Sequence, residues 1–165
     1  MSDASGRHYP KRIRLERRLY ETSLQCVAIT VTCRDRRHCF ENSEFTRSCR
    51  DSLEFSSARF GIDVLVFCFM PDHLHLLVQR QLDGVNVIDF VQRYKSFTAK
   101  LAWDHGFDGK IWQPRFYDHI LREHEDPMKH IRYIIENPVR AGIVSTWIEY
   151  PHTGSLVFDL AEFDW

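Results

Sequence analysis

Residues 62–79 have the sequence IDVLVFCFMPDHLHLLVQ, and this stretch decides the fold. Its first half, Ile62–Met70, is apolar at nearly every position, which is typical of a central strand buried on both faces. Pro71 and Asp72 predict a turn, and residues 73–79 predict a second strand with apolar side chains at alternate positions. The two segments therefore predict an antiparallel pair of neighbouring strands.

The chain on either side of this strand pair adds two strands and three helices. The predicted elements are, in chain order, a strand over residues 23–33, a helix from 42 or 43 to about 59, the two strands above, a helix from 86 or 87 to about 103, a strand over 116–122 and a helix that starts at 126–127. Pro138 places the end of this last helix near Glu136. The order predicts an α+β fold, a ferredoxin-like antiparallel sheet (β-α-β-β-α-β) with helices on one face, plus a C-terminal helix.

The composition is that of a single globular domain. The chain has 165 residues, of which 44% are hydrophobic and 13% aromatic, which excludes a disordered protein. No apolar run reaches the ~20 residues that cross a bilayer, and residues 1–10 lack the apolar centre of a signal peptide. Five cysteines without a C-x-x-C pair predict reduced thiols. We therefore expect a cytoplasmic protein with no membrane partner.

The charge is unevenly distributed, although the formal net charge is only −1. Residues 7–18 contain six Lys or Arg and one acid, whereas residues 143–165 contain four acids and no Lys or Arg. We therefore divide the chain into a basic N-terminal arm (1–20), a main domain (21–150) and an acidic C-terminal tail (151–165). The arm is able to neutralise phosphates, and a merely solvated charge run is the alternative.

His73 and His75 are candidate metal ligands. Residues two apart in a strand point to the same face, so both imidazoles project from one side of the sheet. Two neutral imidazoles in this arrangement are able to bind one divalent ion. The alternative is coincidence, because nine histidines in 165 residues make a chance H-x-H pattern common.

Tyr133 is a candidate nucleophile on the last predicted helix. Helical spacing places it with Lys129, His130 and Asn137, away from the apolar stripe of that helix. A phenol is a weak nucleophile unless a metal ion or a base activates it, so a reactive Tyr133 needs such a group nearby. The alternative is a half-exposed structural tyrosine.

Four segments carry a resemblance to a known family. Residues 69–78 (FMPDHLHLLV) resemble the histidine–hydrophobe–histidine strand of the single-tyrosine HUH transposases. Residues 112–119 (WQPRFYDH) and 132–139 (RYIIENPV) resemble two segments of the REP-associated branch, the second being its tyrosine helix, and residues 94–98 (YKSFT) are also similar to the family. The segments occur in the order and spacing of the family, and the resemblance covers roughly residues 10–150.

The resemblance implies that the main domain is the catalytic domain of an insertion-sequence transposase-like nuclease and strand-transferase. It implies that His73, His75 and Asn137 bind a divalent metal ion, Mg²⁺ or Mn²⁺, which polarises the scissile phosphate. Tyr133 would attack this phosphate and leave a 5′-phosphotyrosyl link and a free 3′-hydroxyl. The implied partner is single-stranded DNA with a hairpin from a repeat element, and the implied enzyme is a monomer or a homodimer.

Basic and aromatic side chains predict the DNA contacts. The candidates for phosphate contacts are Arg12, Arg14, Arg34, Arg36, Arg37, Lys95 and Arg115. The candidates for stacking on unpaired bases are Trp112, Phe116 and Tyr117, with core packing as the alternative. Tyr117 is also the rival nucleophile.

Two other functions remain open on the sequence alone. A domesticated relative would bind the hairpin without cleaving it, although a pure binder needs neither the histidine pair nor Tyr133 and Asn137. A small metal hydrolase would use His73 and His75 with a water molecule, but the sequence offers no carboxylate base in a convincing position.

Overall fold

The computed structural model describes residues 25–82, 84–163 and 165. The helices and strands are, in chain order, β1 (Cys26–Thr32), α1 (Ser43–Phe60), β2 (Ile62–Met70), β3 (His73–Arg80), α2 (Val87–Asp104), β4 (Tyr117–Ile120), α3 (Pro127–Ile135), α4 (Asn137–Arg140) and β5 (Thr153–Gly154). The first seven occur in the predicted order, and α4 and β5 are additional. None of the helices in the described ranges combines the length and hydrophobicity that a bilayer crossing requires.

The five strands form one antiparallel sheet in the order β4-β1-β3-β2-β5. The first four strands have the ferredoxin-like arrangement, so the predicted fold class is confirmed. The central strand is β3, where His75 lies between Thr30 of β1 and Cys68 of β2. This register places the histidine pair in the middle of the sheet and away from its edges.

The sheet separates two apolar cores. Helices α1 and α2 cover one face, and α3 covers the other. A β-bulge between Val64 and Val66 allows the neighbours Leu65 and Val66 both to join the core on the α3 side. The prediction of helices on one face is therefore confirmed for α1 and α2. Helix α3, the C-terminal helix that the sequence predicts beyond the ferredoxin-like unit, lies on the opposite face.

Local sequence signals explain where the helices begin and end. Side-chain oxygens of Asn42, Asn86 and Asp126 accept backbone N–H bonds at the starts of α1, α2 and α3. Pro127 occupies the first turn of α3, where its missing N–H costs nothing. Helix α1 ends at Phe60 and is capped by Gly61, whose φ of 62° belongs to the left-handed region that glycine adopts readily. These signals act over a few residues, so the predicted helix boundaries agree closely with the observed ones.

The charge pattern marks residues 151–165 as an acidic tail, but its described residues, 151–163 and 165, belong to the folded domain. Their strand β5 pairs with β2, and the Phe69 N–H donates to the His152 carbonyl at 3.0 Å. Leu160 is buried in the core on the α3 side, and the buried Phe163 ring lies 5.3 Å from that of Phe158. The segment carries acids on its surface, but its apolar side chains belong to the folded domain.

Candidate active site

The rings of His73 and His75 meet on the α3 side of the sheet. Their Nε2 atoms are 2.9 Å apart, and the ring planes are perpendicular, at 90°. A metal ion bound to two nitrogens at about 2.1 Å and at a right angle separates them by about 3.0 Å. The pair therefore has the spacing of two ligands of one ion.

Oxygen atoms hold the outer nitrogen of each imidazole. His73 Nδ1 lies 2.5 Å from Asp72 Oδ1, and His75 Nδ1 lies 3.0 Å from Thr30 Oγ1. Metal-binding histidines are oriented in this way, because the second ring N–H donates to an oxygen acceptor. When both Nδ1 atoms carry their protons in this way, the two Nε2 lone pairs face each other and are free to bind a cation.

Burial and nearby charges favour the protonation states of Asp72 and His75 that metal binding needs. The Arg36 guanidinium donates to Asp72 Oδ2 at 3.0 Å. Burial raises the pKa of Asp72, but hydrogen bonds from His73 and Arg36 outweigh burial and hold this pKa below its ordinary value. Burial, followed by the charges of His73 and Arg140, lowers the pKa of His75 to about 4. At neutral pH the carboxylate is thus ionised and the His75 imidazole is neutral.

Tyr133 and His75 line the same pocket. Its volume is about 490 Å³, and strands β1, β3 and β4 and helix α3 form its walls. Tyr133 is 58% exposed, in agreement with the prediction that it lies on the polar face of its helix. Tyr117 is 65% exposed and lines the same pocket, so its position keeps it as the rival nucleophile.

Arg140 connects Tyr133 with Asn137. Its guanidinium carbon lies 4.0 Å from the centroid of the Tyr133 ring. One guanidinium nitrogen donates to Asn137 Oδ1 at 2.8 Å and to the Tyr133 carbonyl at 2.6 Å. The Asn137 side-chain nitrogen donates to the Ile134 carbonyl at 3.3 Å. The oxygen predicted to bind a metal ion is therefore held by Arg140 in this conformation, and Arg140 must share or release it before it binds an ion.

The candidate phosphate contacts fall into three groups. Four arginines are exposed, namely Arg34, Arg36, Arg37 and Arg115. Lys95 is half-buried, and its Nζ donates to the Gln113 carbonyl at 2.7 Å, so it fixes the loop that leads to β4. Arg12 and Arg14 lie outside the described residues.

Trp112 belongs to the core and not to a DNA-contacting surface. It is 6% exposed, lies in the core on the α1–α2 side, and donates its indole N–H to Thr98 Oγ1 at 3.0 Å. A residue packed in this way has no free face for a nucleobase, so the predicted stacking role is corrected to core packing. Phe116 is partly buried against the same core, which leaves Tyr117 as the exposed aromatic candidate.

Arg140 and the pair His119 and Glu125 are absent from the sequence-based prediction. Arg140 lies seven residues, or about two helical turns, after Tyr133, so helical spacing contained a signal for it. His119 Nε2 lies 2.9 Å from each carboxylate oxygen of Glu125. That contact depends on how the loop after β4 folds back, which no spacing rule predicts.

The ferredoxin-like sheet carries a histidine pair beside a helix-borne tyrosine, which is the arrangement that the resemblance to the single-tyrosine transposases implies. The family model described as "Transposase IS200 like" matches residues 21–137, a range that includes His73, His75, Tyr133 and Asn137. The chain belongs to the IS200-like transposase family.

Two curated relatives are described as REP-associated tyrosine transposases. A putative REP-associated tyrosine transposase of Haemophilus influenzae is 26% identical over 134 residues, which are 75% of this chain and 76% of the relative. The REP-associated tyrosine transposase of Escherichia coli K12 is 26% identical over 122 residues, with 74% of this chain and 71% of the relative covered.

Two solved structures have a similar fold. The structure of a REP-associated tyrosine transposase bound to a REP hairpin superposes with a TM-score of 0.68 and 22% identity, over 78% of this chain and 75% of that chain. A putative transposase from Deinococcus radiodurans R1 gives a TM-score of 0.51 and 22% identity, over 70% of this chain and 92% of that chain. Both agree with the architecture described above.

Proposed function

We propose that this chain cleaves and rejoins single-stranded DNA beside a hairpin, with Tyr133 as the nucleophile and a divalent ion held by His73 and His75. The observation that supports this most strongly is the pocket that His75 and Tyr133 share. A phosphodiester that enters this pocket meets both the metal-binding strand and the phenol.

The proposed reaction exchanges one phosphoester for another. The Tyr133 oxygen bonds to the scissile phosphorus, the bond to the 3′-oxygen breaks, and the phenol's proton passes to the departing oxygen directly or through water. The products are a 5′-phosphotyrosyl link and a 3′-hydroxyl. A 3′-hydroxyl then attacks the link and restores a DNA strand, so no nucleotide cofactor is consumed.

Mg²⁺ or Mn²⁺ is the proposed ion. Two imidazole nitrogens and one amide oxygen leave positions open for phosphate oxygens and water. When bound, the ion would polarise the scissile phosphate. Asn137 is the proposed third ligand. Arg140 would then exchange the Asn137 oxygen for a phosphate oxygen, which its guanidinium binds well.

The proposal of a hairpin substrate comes from the relatives. The related solved structure holds a REP hairpin, and both curated relatives are REP-associated. The proposed DNA contacts on this chain are the exposed residues Arg34, Arg36, Arg37, Arg115 and Tyr117 together with the basic arm, including Arg12 and Arg14.

Tyr133→Phe tests the nucleophile, because it removes only the hydroxyl. The full chain is incubated with hairpin-bearing single strands and Mn²⁺, and the covalent protein–DNA adduct is measured on denaturing gels. We expect an adduct with the wild type and with Tyr117→Phe, and none with Tyr133→Phe. An adduct with Tyr133→Phe but none with Tyr117→Phe would reverse the assignment. Hairpin binding without any wild-type adduct would favour a pure binding module.

A further inference from the structure

Three metal-ligating side chains meet outside the proposed catalytic pair. They are His119 of β4, Glu125 of the loop that follows, and His130 of α3, and one ligand atom from each lies within 4.8 Å of the others. His119 and His130 also line the pocket that contains Tyr133. The proposed cleavage reaction assigns no role to these three residues.

The cluster has two features of a prepared ligand set. His130 Nδ1 lies 3.2 Å from the Asp126 carbonyl oxygen. Because a carbonyl only accepts hydrogen bonds, Nδ1 carries a proton, and in the neutral imidazole Nε2 then keeps the lone pair with which histidine binds metals. The Arg122 N–H donates to Glu125 Oε2 at 2.8 Å and orients the carboxylate. Hydrogen bonds therefore fix two of the three ligands independently of any ion.

We propose that His119, Glu125 and His130 form a second metal site, suited to Zn²⁺ or a similar transition-metal ion. Two imidazoles and one carboxylate are a ligand set that zinc takes in proteins. Ligand atoms around a tetrahedral ion lie about 3.4 Å apart at bond lengths of about 2.1 Å. His119 Nε2 and Glu125 are already at 2.9 Å. All three ligand atoms lie within 4.8 Å of one another, so His130 must move closer for one ion to bind all three.

The site would fix the helix that carries the nucleophile. His130 lies three residues before Tyr133, about one turn away on α3. An ion bound to His119 and His130 would join β4 to α3 at the pocket that both residues line. Its role is therefore structural positioning of Tyr133, whereas the ion at His73 and His75 would act on the phosphate.

Zinc titration of a variant that lacks the catalytic pair tests the second site. The full chain with His73→Ala and His75→Ala is titrated with ZnCl₂ by calorimetry, and bound Co²⁺ is followed by its visible spectrum. We expect one equivalent of Zn²⁺ per chain, a Co²⁺ spectrum of nitrogen and oxygen ligands without thiolate bands, and a higher melting temperature with zinc. Adding His130→Gln should weaken zinc binding by at least about 10-fold, because losing even a residue that only orients a metal ligand usually costs about this much.

His124→Ala is the matched control, since His124 is an exposed histidine in the same loop, and it should leave zinc binding unchanged. Circular dichroism confirms that each variant is folded. Absence of zinc binding in the His73→Ala/His75→Ala chain would overturn the proposal, and so would equal affinity with and without His130→Gln. These measurements use no DNA, so their failure leaves the proposed cleavage reaction untouched, and the absence of cleavage would leave this site untouched.

Discussion

Asp72 is bound to two basic groups at once, because one oxygen contacts His73 and the other accepts from Arg36. It therefore fixes the ring orientation of one proposed metal ligand. Asp72→Asn keeps the size of the side chain but removes the charge that supports the imidazole. We expect a 10- to 100-fold loss of metal affinity, about the usual effect of losing such a support. The measurement is the Mn²⁺ concentration that gives half-maximal adduct formation.

Asp118→Asn is the control for this change. Asp118 lies in β4 but lines a different pocket from Tyr133, so its neutralisation should not alter the Mn²⁺ requirement. Identical Mn²⁺ dependence in the wild type and in Asp72→Asn would show that Asp72 does not orient the ligand.

Helix α3 carries Tyr133, and its start depends on Asp126. The Asp126 side chain accepts the Met128 N–H at 2.9 Å. Removing such an N-cap costs about 1 kcal/mol of unfolding free energy. We expect Asp126→Ala to lower the unfolding free energy by about this amount, measured by urea denaturation. We also expect slower adduct formation, because loss of the cap lets the first turn of α3 fray and so weakens the positioning of Tyr133.

Asn86→Ala separates these two effects. Asn86 caps α2, which packs on the other face of the sheet from the active site. This variant should lose a similar unfolding free energy but keep the wild-type rate of adduct formation. Equal slowing in both variants would mean that general stability, and not the position of α3, controls the reaction.

Across the whole molecule, the C-terminal residues complete the core on the α3 side. Leu160 is 5% exposed, and truncation of a buried leucine costs about 2–5 kcal/mol. We expect Leu160→Ala to lower the unfolding free energy by this amount, measured by urea denaturation. Leu82→Ala is the control, because Leu82 is 71% exposed and should change stability by less than about 0.5 kcal/mol. A negligible effect of Leu160→Ala would mean that residues 151–165 are a detachable tail.

One chain supplies both His75 and Tyr133 to the same pocket, which predicts that a monomer cleaves with its own tyrosine. Complementation tests this prediction. A mixture of His75→Ala chains and Tyr133→Phe chains should form no adduct, because neither chain has a complete pocket. Adduct formation by the mixture would show that two chains share their active sites. Wild type mixed with either variant is the positive control.

Sequence patterns predicted the fold wherever the governing interaction is local. The capping residues Asn42, Asn86 and Asp126 fixed the helix starts, and residues 62–79 fixed the central strands. Long-range contacts carry no such pattern. The Tyr150 hydroxyl, for example, donates to the Phe69 carbonyl at 2.7 Å across 81 residues, and nothing in the spacing indicates that this part of the chain returns to β2.

In the candidate site, too, local patterns predicted some features and missed others. The histidine pair follows from strand geometry, and the position of Tyr133 follows from helical spacing. The bond between Arg140 and Asn137 was not predicted, because both residues lie in α4 and the last predicted helix ends near Glu136. Trp112 could not be assigned either, since an aromatic residue in a loop has no periodicity that tells core from surface.

Strand β5 has a consequence for how this protein behaves at high concentration. Among the described residues the sheet ends in two short strands, β4 with four residues and β5 with two. Short edge strands discourage pairing between molecules. Without β5 the outer strand would be β2, whose sequence IDVLVFCFM is nine residues of nearly continuous apolar character. Such a segment on an open edge is a template for intermolecular β-sheet and for aggregation. A version shortened to the family-matched range, ending at residue 137, should therefore precipitate during expression, whereas the full chain protects its own edge.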